Sequence, residues 1–328
     1  MSPALQRLIE RRLLIVIGKG GTGKTTIAAA LGTLAARHGA ETAVIEVSEE
    51  SALRSLLASE LELPAEQRQP VEIAPHLYLM CIAPKVALQE YLELHVPVRR
   101  LARAIIHNPA FGAFLDAAPG WRELITLGKI WHLEQQTRAG RPRYDLLIVD
   151  APATGHGLSF LSVPGVVVDS VRLGPLRRHT DSVWELLRDP ERTLLLPVSQ
   201  PEELPVKETL ELYERLRALG LRAGAPIANG VESSPAIADV DSVLSALSEI
   251  PAESSVSRLS EPSALAGAVR HRLSRARLQR QFIEKLRLGC GSPPLELPYL
   301  AEAIAGPEGV GRLADALESA LDCAADWA

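Results

Sequence analysis

Residues 18–26 read GKGGTGKTT, and what flanks them narrows the fold more than any other part of the chain. The apolar run Leu13–Ile17 leads in as a strand, and Lys24–Arg37 carries on with helical patterning. Strand, glycine-rich turn and helix in that order describe a phosphate-cradling loop. Glycines let the backbone curl so that its N–H groups converge on phosphate oxygens, and the helix adds the positive end of its dipole. Within the loop, Gly18, Gly20, Gly21 and Gly23 shape the turn, with Thr22 between them. Lys24 is expected to reach the β- and γ-phosphates, Thr25 to supply a hydroxyl to Mg²⁺, and Thr26 to touch the α-phosphate. The expected ligands are ATP or ADP with Mg²⁺. Lys19 is unusual. So early in the loop it turns back onto its own nucleotide with difficulty, and it crosses more readily to a nucleotide on a facing subunit. A second cation would then arrive only on dimer closure, as an arginine finger does. A solvated lysine beside a glycine turn is the plainer alternative.

The rest of the pattern is consistent with that start. Strands are expected at Ala43–Val47, His76–Ile82, Arg143–Val149, Thr193–Val198, Ala225–Asn229 and Leu295–Leu297. Helices are expected at Glu202–Leu219, Ala236–Ile250, Pro262–Leu288 and Glu308–Leu321. Continuous apolar strands alternating with helices describe an α/β fold, a mostly parallel sheet covered on both faces. At 328 residues the chain is long enough for one such domain with an elaboration. We read it as a single P-loop domain over 1–328, with a helical subdomain at about 85–139 plus 158–190 inserted within it.

Ligands of parallel sheets bind beyond the C-terminal ends of the strands. Asp150 follows the buried run Leu146–Val149 directly, where a carboxylate holds the Mg²⁺ shell. After it, APATGHGLSFL (151–161) reads as a shaped loop that senses the γ-phosphate, a continuing helix being disfavoured by Pro152, Gly155 and Gly157. Glu46 ends the second strand and is a candidate for reaching Mg²⁺-bound or attacking water; Ser48 shares its strand parity, and Glu49 and Glu50 are nearby candidates to orient water in its place. An acidic solvated turn is the alternative there. Asn229 ends another strand, and its amide can read an adenine edge or simply sit in a turn before Gly230.

Composition sets limits. A formal charge of −5 disfavours a broadly basic nucleic-acid binder. Cys81, Cys290 and Cys323 form no CxxC, so neither zinc nor an iron–sulfur cluster is expected. No run of eighteen apolar residues predicts a membrane span, and residues 1–12 are too polar for a signal peptide. The expected compartment is cytoplasmic.

GKGGTGKTT, YDLLIVDAPATGHGLSFL, LPVSQPEELPVKETLELYERL and Asn229, in this order, resemble the arsenical-pump ATPase family, which includes the targeting ATPase of tail-anchored membrane proteins. The resemblance spans about Leu13–Leu321 and belongs to the P-loop class with a signature lysine in the loop. It implies an ATPase acting as a homodimer, or as a dimer with a paralogue. Lys19 would be the intermonomer lysine, Asp150–His156 the second switch and Asn229 the adenine contact. The helical subdomain would change its hold on a protein cargo or a membrane-associated partner when ATP closes the dimer. Three departures stand out. Ser48 occupies the position of the family's water-orienting aspartate, and serine is a poor base unless activated, so slow hydrolysis is expected unless Glu49 or Glu50 compensates. The zinc CxxC is missing, and so are clustered metalloid cysteines. Two other readings remain open: a chaperone for membrane-protein helices, and a nucleotide-gated interaction module with little turnover. The apolar group Leu101, Ala104, Ile105, Phe111, Phe114 and Leu115 would line a cargo groove or pack internally, as would Trp121, Leu124, Leu127, Ile130, Trp131 and Leu133. The arginines 99, 100, 103, 172, 177 and 178 are either partner contacts or solvated faces.

Overall fold

The computed structural model describes residues 2–47, 52–64, 66–95, 108–109, 111–112, 120–152, 154–171, 173–232, 245, 262–300, 304–324 and 327. In chain order the elements are α1 (Pro3–Ile9), β1 (Leu13–Gly18), α2 (Lys24–Arg37), β2 (Thr42–Glu46), α3 (Ala52–Leu57), β3 (Val71–Ala74), β4 (Leu77–Cys81) and α4 (Pro84–His95). Then come α5 (Trp121–Glu134), β5 (Thr137–Arg138), β6 (Arg141–Pro142), β7 (Leu146–Asp150), α6 (Thr154–Ser170) and α7 (Pro175–Arg188). The last are β8 (Thr193–Ser199), α8 (Glu203–Ala218), β9 (Ile227–Val231), α9 (Pro262–Cys290), β10 (Leu295–Pro298) and α10 (Gly306–Cys323).

Eight strands form one sheet in the order β10-β9-β8-β1-β7-β2-β4-β3, and β5 and β6 pair separately. Every neighbouring pair in the large sheet is parallel except β3 with β4. Edge strand β3 lies outside the sequence expectation. It is four residues long, only half-buried, and joined to β4 by a turn at His76 with φ of 63°. So short and exposed a strand has no continuous apolar run to betray it.

The period of two along the strands divides the core. Leu14 and Val16 of β1, with Val44 of β2 and Ile148 of β7, face α1, α2, α3 and α10. Leu13, Ile15 and Ile17, with Ile45 and Val149, face α5, α6, α7 and the inner side of α8. Burial on both faces explains the uninterrupted apolar runs. Among the described residues, helices α4–α7 belong to the inserted helical subdomain. Leu127, Ile130 and Leu133 of α5 lie within the sheet-side core, so this part of the tract packs internally. Leu101, Ala104, Ile105, Phe114 and Leu115, the arginines 99, 100, 103 and 172, and nearly all of the expected helix 236–250 lie outside the described residues. Arg177 is engaged within the fold. It pairs with Asp181 and donates to the carbonyls of Val168 and Val171 at the end of α6.

One expectation is corrected. The segment after Asp150 is not an extended shaped loop, because α6 begins at Thr154 and runs to Ser170. A Cβ at residue 157 would lie 2.7 Å from the Pro152 carbonyl oxygen, so glycine permits the tight strand-to-helix turn. Pro164 is accommodated inside the helix.

No described helix is long and apolar enough to cross a membrane.

Candidate functional site

Parallel register brings four strand ends together. Val16 of β1 and Glu46 of β2 both align with Asp150 of β7, and Gly18 aligns with Val198 of β8. The loop 19–23 springs from the central one, β1, and α2 begins at Lys24. Gly23 is the N-cap of α2, with φ of 92° and ψ of 21°, and no side chain caps the helix. The first amides of α2 are thus unclaimed by a capping side chain, the arrangement that receives an anion. The loop is closed by Thr22, whose hydroxyl donates to the Lys19 carbonyl at 2.9 Å.

Lys24, 8% exposed, donates from Nζ to the Lys19 carbonyl at 3.1 Å. Its ammonium therefore lies folded over the loop. Burial lowers the Lys24 pKa, opposed by the charge of Asp150. Thr25 donates to Asp150 Oδ2 at 2.6 Å. Asp150 is 7% exposed, and its Oδ1 is buried with no hydrogen-bond partner among the described residues. Burial pushes its carboxyl up to about 6. The Thr25 hydrogen bond and Lys24 act against that rise, and Glu46 adds to it. A buried carboxylate oxygen left orphaned beside a threonine hydroxyl is an incomplete oxygen shell. Hard divalent cations such as Mg²⁺ take oxygen donors of this kind, so the residues fit that ion. No described cluster of three His, Cys, Asp or Glu side chains forms a separate metal site.

The structure places the other sequence candidates as follows. Asn229, on β9, donates from Nδ2 to the Thr22 carbonyl at 2.9 Å, so it braces the loop from the side. A Cβ at residue 23 would lie 2.3 Å from that same Nδ2, which explains why glycine is needed there beyond its φ. Glu46 is 3% exposed, and its carboxylate accepts from the amides of Ala52 at 2.9 Å and Leu53 at 3.2 Å. It caps α3 from across the 47–51 segment. Ser48 and Glu49, like Glu50, lie outside the described residues.

Lys19, expected to cross to a facing subunit, is paired within its own chain in this structure. Its Nζ is 2.9 Å from Glu208 Oε1 on α8 of the same chain, with the two side chains 28% and 31% exposed. Sequence reasoning missed Glu208. The available signal was topological: α8 follows β8, and β8 lies beside β1, so the first turns of α8 border the loop. The capping role of Glu46, towards amides six and seven residues on, and the bracing role of Asn229, towards a residue 207 positions away, also went unread.

Comparison with known proteins identifies the family of the chain. The model of a family described as anion-transporting ATPase matches residues 11–177. ATPase BagA of Mycobacterium tuberculosis is 34% identical over 229 residues, covering 68% of this chain and 66% of the relative. An ATPase ASNA1 homolog of Entamoeba histolytica is 27% identical over 271 residues, covering 69% and 79%. An arsenical pump-driving ATPase of Escherichia coli is 28% identical over 267 residues, covering 78% of this chain and 42% of that protein. The match to the mycobacterial relative thus spans slightly under two thirds of its length.

Proposed function

The chain belongs to the anion-transporting ATPase family, and on that premise we propose that it binds ATP with Mg²⁺ at residues 18–26 and hydrolyses it in a dimer whose closure regulates partner binding. One observation carries the reading: the Thr25 hydroxyl on Asp150, 2.6 Å away, with the second carboxylate oxygen buried and unpartnered beside Lys24. In this proposal the amides of residues 20–26 and the Lys24 ammonium hold the phosphates. Thr26 touches the α-phosphate, and Thr25 and Asp150 hold the metal shell. When bound, Mg²⁺ supplies charge neutralisation at the phosphate oxygens. Asn229 keeps Thr22 and Gly23 in place and presents the rest of its amide towards the base. Lys19 leaves Glu208 and reaches a facing subunit's phosphates. Glu46 supports the 47–51 segment by anchoring α3, and Ser48 or Glu49 orients the attacking water. The second switch is Asp150–His156, and the subdomain at 85–139 plus 158–190 responds to it by changing its hold on a protein or membrane-associated partner in the cytoplasm.

A slow-turnover form of the same reading is favoured by the Lys19–Glu208 pair, since the cation required for closure is already held within its own chain. The direct test is calorimetric titration of ATP with Mg²⁺ into folded protein, paired with phosphate release against protein concentration. Saturable uptake that Lys24→Ala abolishes, with turnover per chain rising on dimerisation, is expected. Failure of the folded wild-type chain to take up nucleotide overturns the proposal.

A further inference from the structure

Away from the phosphate loop, α4, α5 and α7 enclose a cavity of about 240 Å³. Glu90, Tyr91, Lys129, Trp131, His132 and His179 line it. None of these residues has a part in the nucleotide chemistry described above. The polar floor is a buried ion pair. Lys129 Nζ donates to both Glu90 oxygens at 2.7 and 2.6 Å and to the Arg68 carbonyl at 2.7 Å. The side chains are 5% and 16% exposed for Lys129 and Glu90. The walls are aromatic. The His179 ring lies 5.0 Å from Trp131, edge to face, and 5.4 Å from Tyr91. Gly128 lets His179 approach this closely, because a Cβ there would meet its Nε2 at 2.6 Å.

We propose that this cavity is a binding site for a small, neutral, aromatic molecule bearing a hydrogen-bond donor. A buried ion pair contributes little net stability, because desolvation offsets its attraction, and apolar residues of like volume would serve the packing as well. Its position on the floor of a cavity therefore points to recognition. The charge balance selects a neutral ligand. The three ammonium protons of Lys129 are all engaged, so an anion finds no spare cationic donor on Lys129 and meets Glu90. A cation meets a carboxylate that Lys129 already neutralises. The Glu90 oxygens, engaged by one ammonium, have further acceptor capacity for an O–H or N–H. Burial, with the nearby Lys129 charge, lowers the pKa of His132, so its ring is neutral at pH 7. The aromatic walls favour a flat ring through edge-to-face contacts. The volume lies below the usual range for drug-sized pockets, which limits the ligand to one or two rings.

Indole is the probe, with N-methylindole, benzoate and benzylamine as comparisons, measured by calorimetry on the full chain without nucleotide. The expected result is saturable indole binding with a dissociation constant on the order of 1 mM or tighter. N-methylindole, lacking the donor, should bind at least about fivefold more weakly, and the two charged compounds at least about tenfold more weakly. Ile125→Trp, at the half-buried rim, should plug the site and weaken indole about tenfold or more. NMR signals of Trp131 and Ile125 in the wild-type chain should shift with indole, a reading that does not depend on any variant folding. No saturable binding, no shift at those two residues, or charged probes binding as tightly as indole overturns the inference. The site is tested without ATP, so its failure leaves the nucleotide proposal untouched.

Discussion

Replacing Glu208 by glutamine tests the most informative contact in the site. The Lys19–Glu208 pair is 2.9 Å long, and each partner is about a third exposed. Its gross Coulomb attraction is several kcal/mol at an effective dielectric near 20, falling to about 1 kcal/mol in water. Side-chain ordering and salt screening leave a net of about 0–1 kcal/mol for so exposed a pair. If Lys19 must leave Glu208 to act on a facing subunit, each release costs up to that amount. Two pairs break per dimer, so Glu208→Gln should favour ATP-dependent closure by up to about 2 kcal/mol, roughly 30-fold in the dimerisation constant. Phosphate release measured against protein concentration, with sedimentation in ATP, reads this directly. The half-maximal concentration should fall in the variant, and the difference should shrink in high salt, where the wild-type pair is screened. In a Lys19→Ala background, turnover should be low and Glu208→Gln silent. An unchanged concentration dependence, or an equal effect without Lys19, would refute the reasoning.

Asp150→Asn should separate function from stability. The folded carboxyl titrates at about 6, above its ordinary 3.8, because of burial. The folded state therefore holds the proton more tightly, and the ionised group costs stability progressively as pH rises from about 4 to about 6, by roughly 3 kcal/mol at most. Metal-free Asp150→Asn should accordingly be more stable than wild type at pH 7 and equal to it near pH 4 by urea unfolding, while losing Mg²⁺-dependent ATP uptake; destabilisation at pH 7 would contradict the burial argument. Glu46→Ala should remove the carboxylate that accepts from Ala52 and Leu53. The loss expected is about 1 kcal/mol, typical of a helix cap, with hydrogen exchange rising first at those two amides; unchanged protection there would count against the capping role.

The glycine-rich turn from β1 into α2 was legible because its pattern is local: glycines, Lys24 and Thr25 occupy neighbouring positions whose geometry follows from a strand, a turn and a helix. Asp150 was legible for a related reason, since a carboxylate ending an apolar strand of a parallel sheet must emerge at the ligand edge. The bounds of β1, β2 and β8 came through within one residue, because burial on both faces writes a continuous apolar run, whereas β7 begins at Leu146, three residues later than expected, because Arg143–Asp145 precede its apolar run. Strand β3 did not come through, being short and half-exposed. The start of α6 was hidden by Pro152, Gly155 and Gly157, which favour a turn when taken alone, although Gly157 serves a tight turn into the helix.

Other assignments belong to the tertiary structure. Which partner Lys19 meets depends on β8 lying beside β1, so that α8 borders the loop; 189 positions separate Lys19 from Glu208 in the chain, and no local rule relates them. Asn229 braces Thr22 only because β9 lies one strand further along. Glu46 accepts from the first amides of α3 because the folded chain brings that helix start to 2.9 Å from its carboxylate at the end of β2. The cavity over Glu90 and Lys129 exists only where three helices meet. Sequence alone determined the glycine-rich turn between β1 and α2 and the layered α/β architecture, because both rest on short-range pattern. Packing decided how the charged and polar groups around that turn are paired, because pairing depends on distances that the folded chain alone sets.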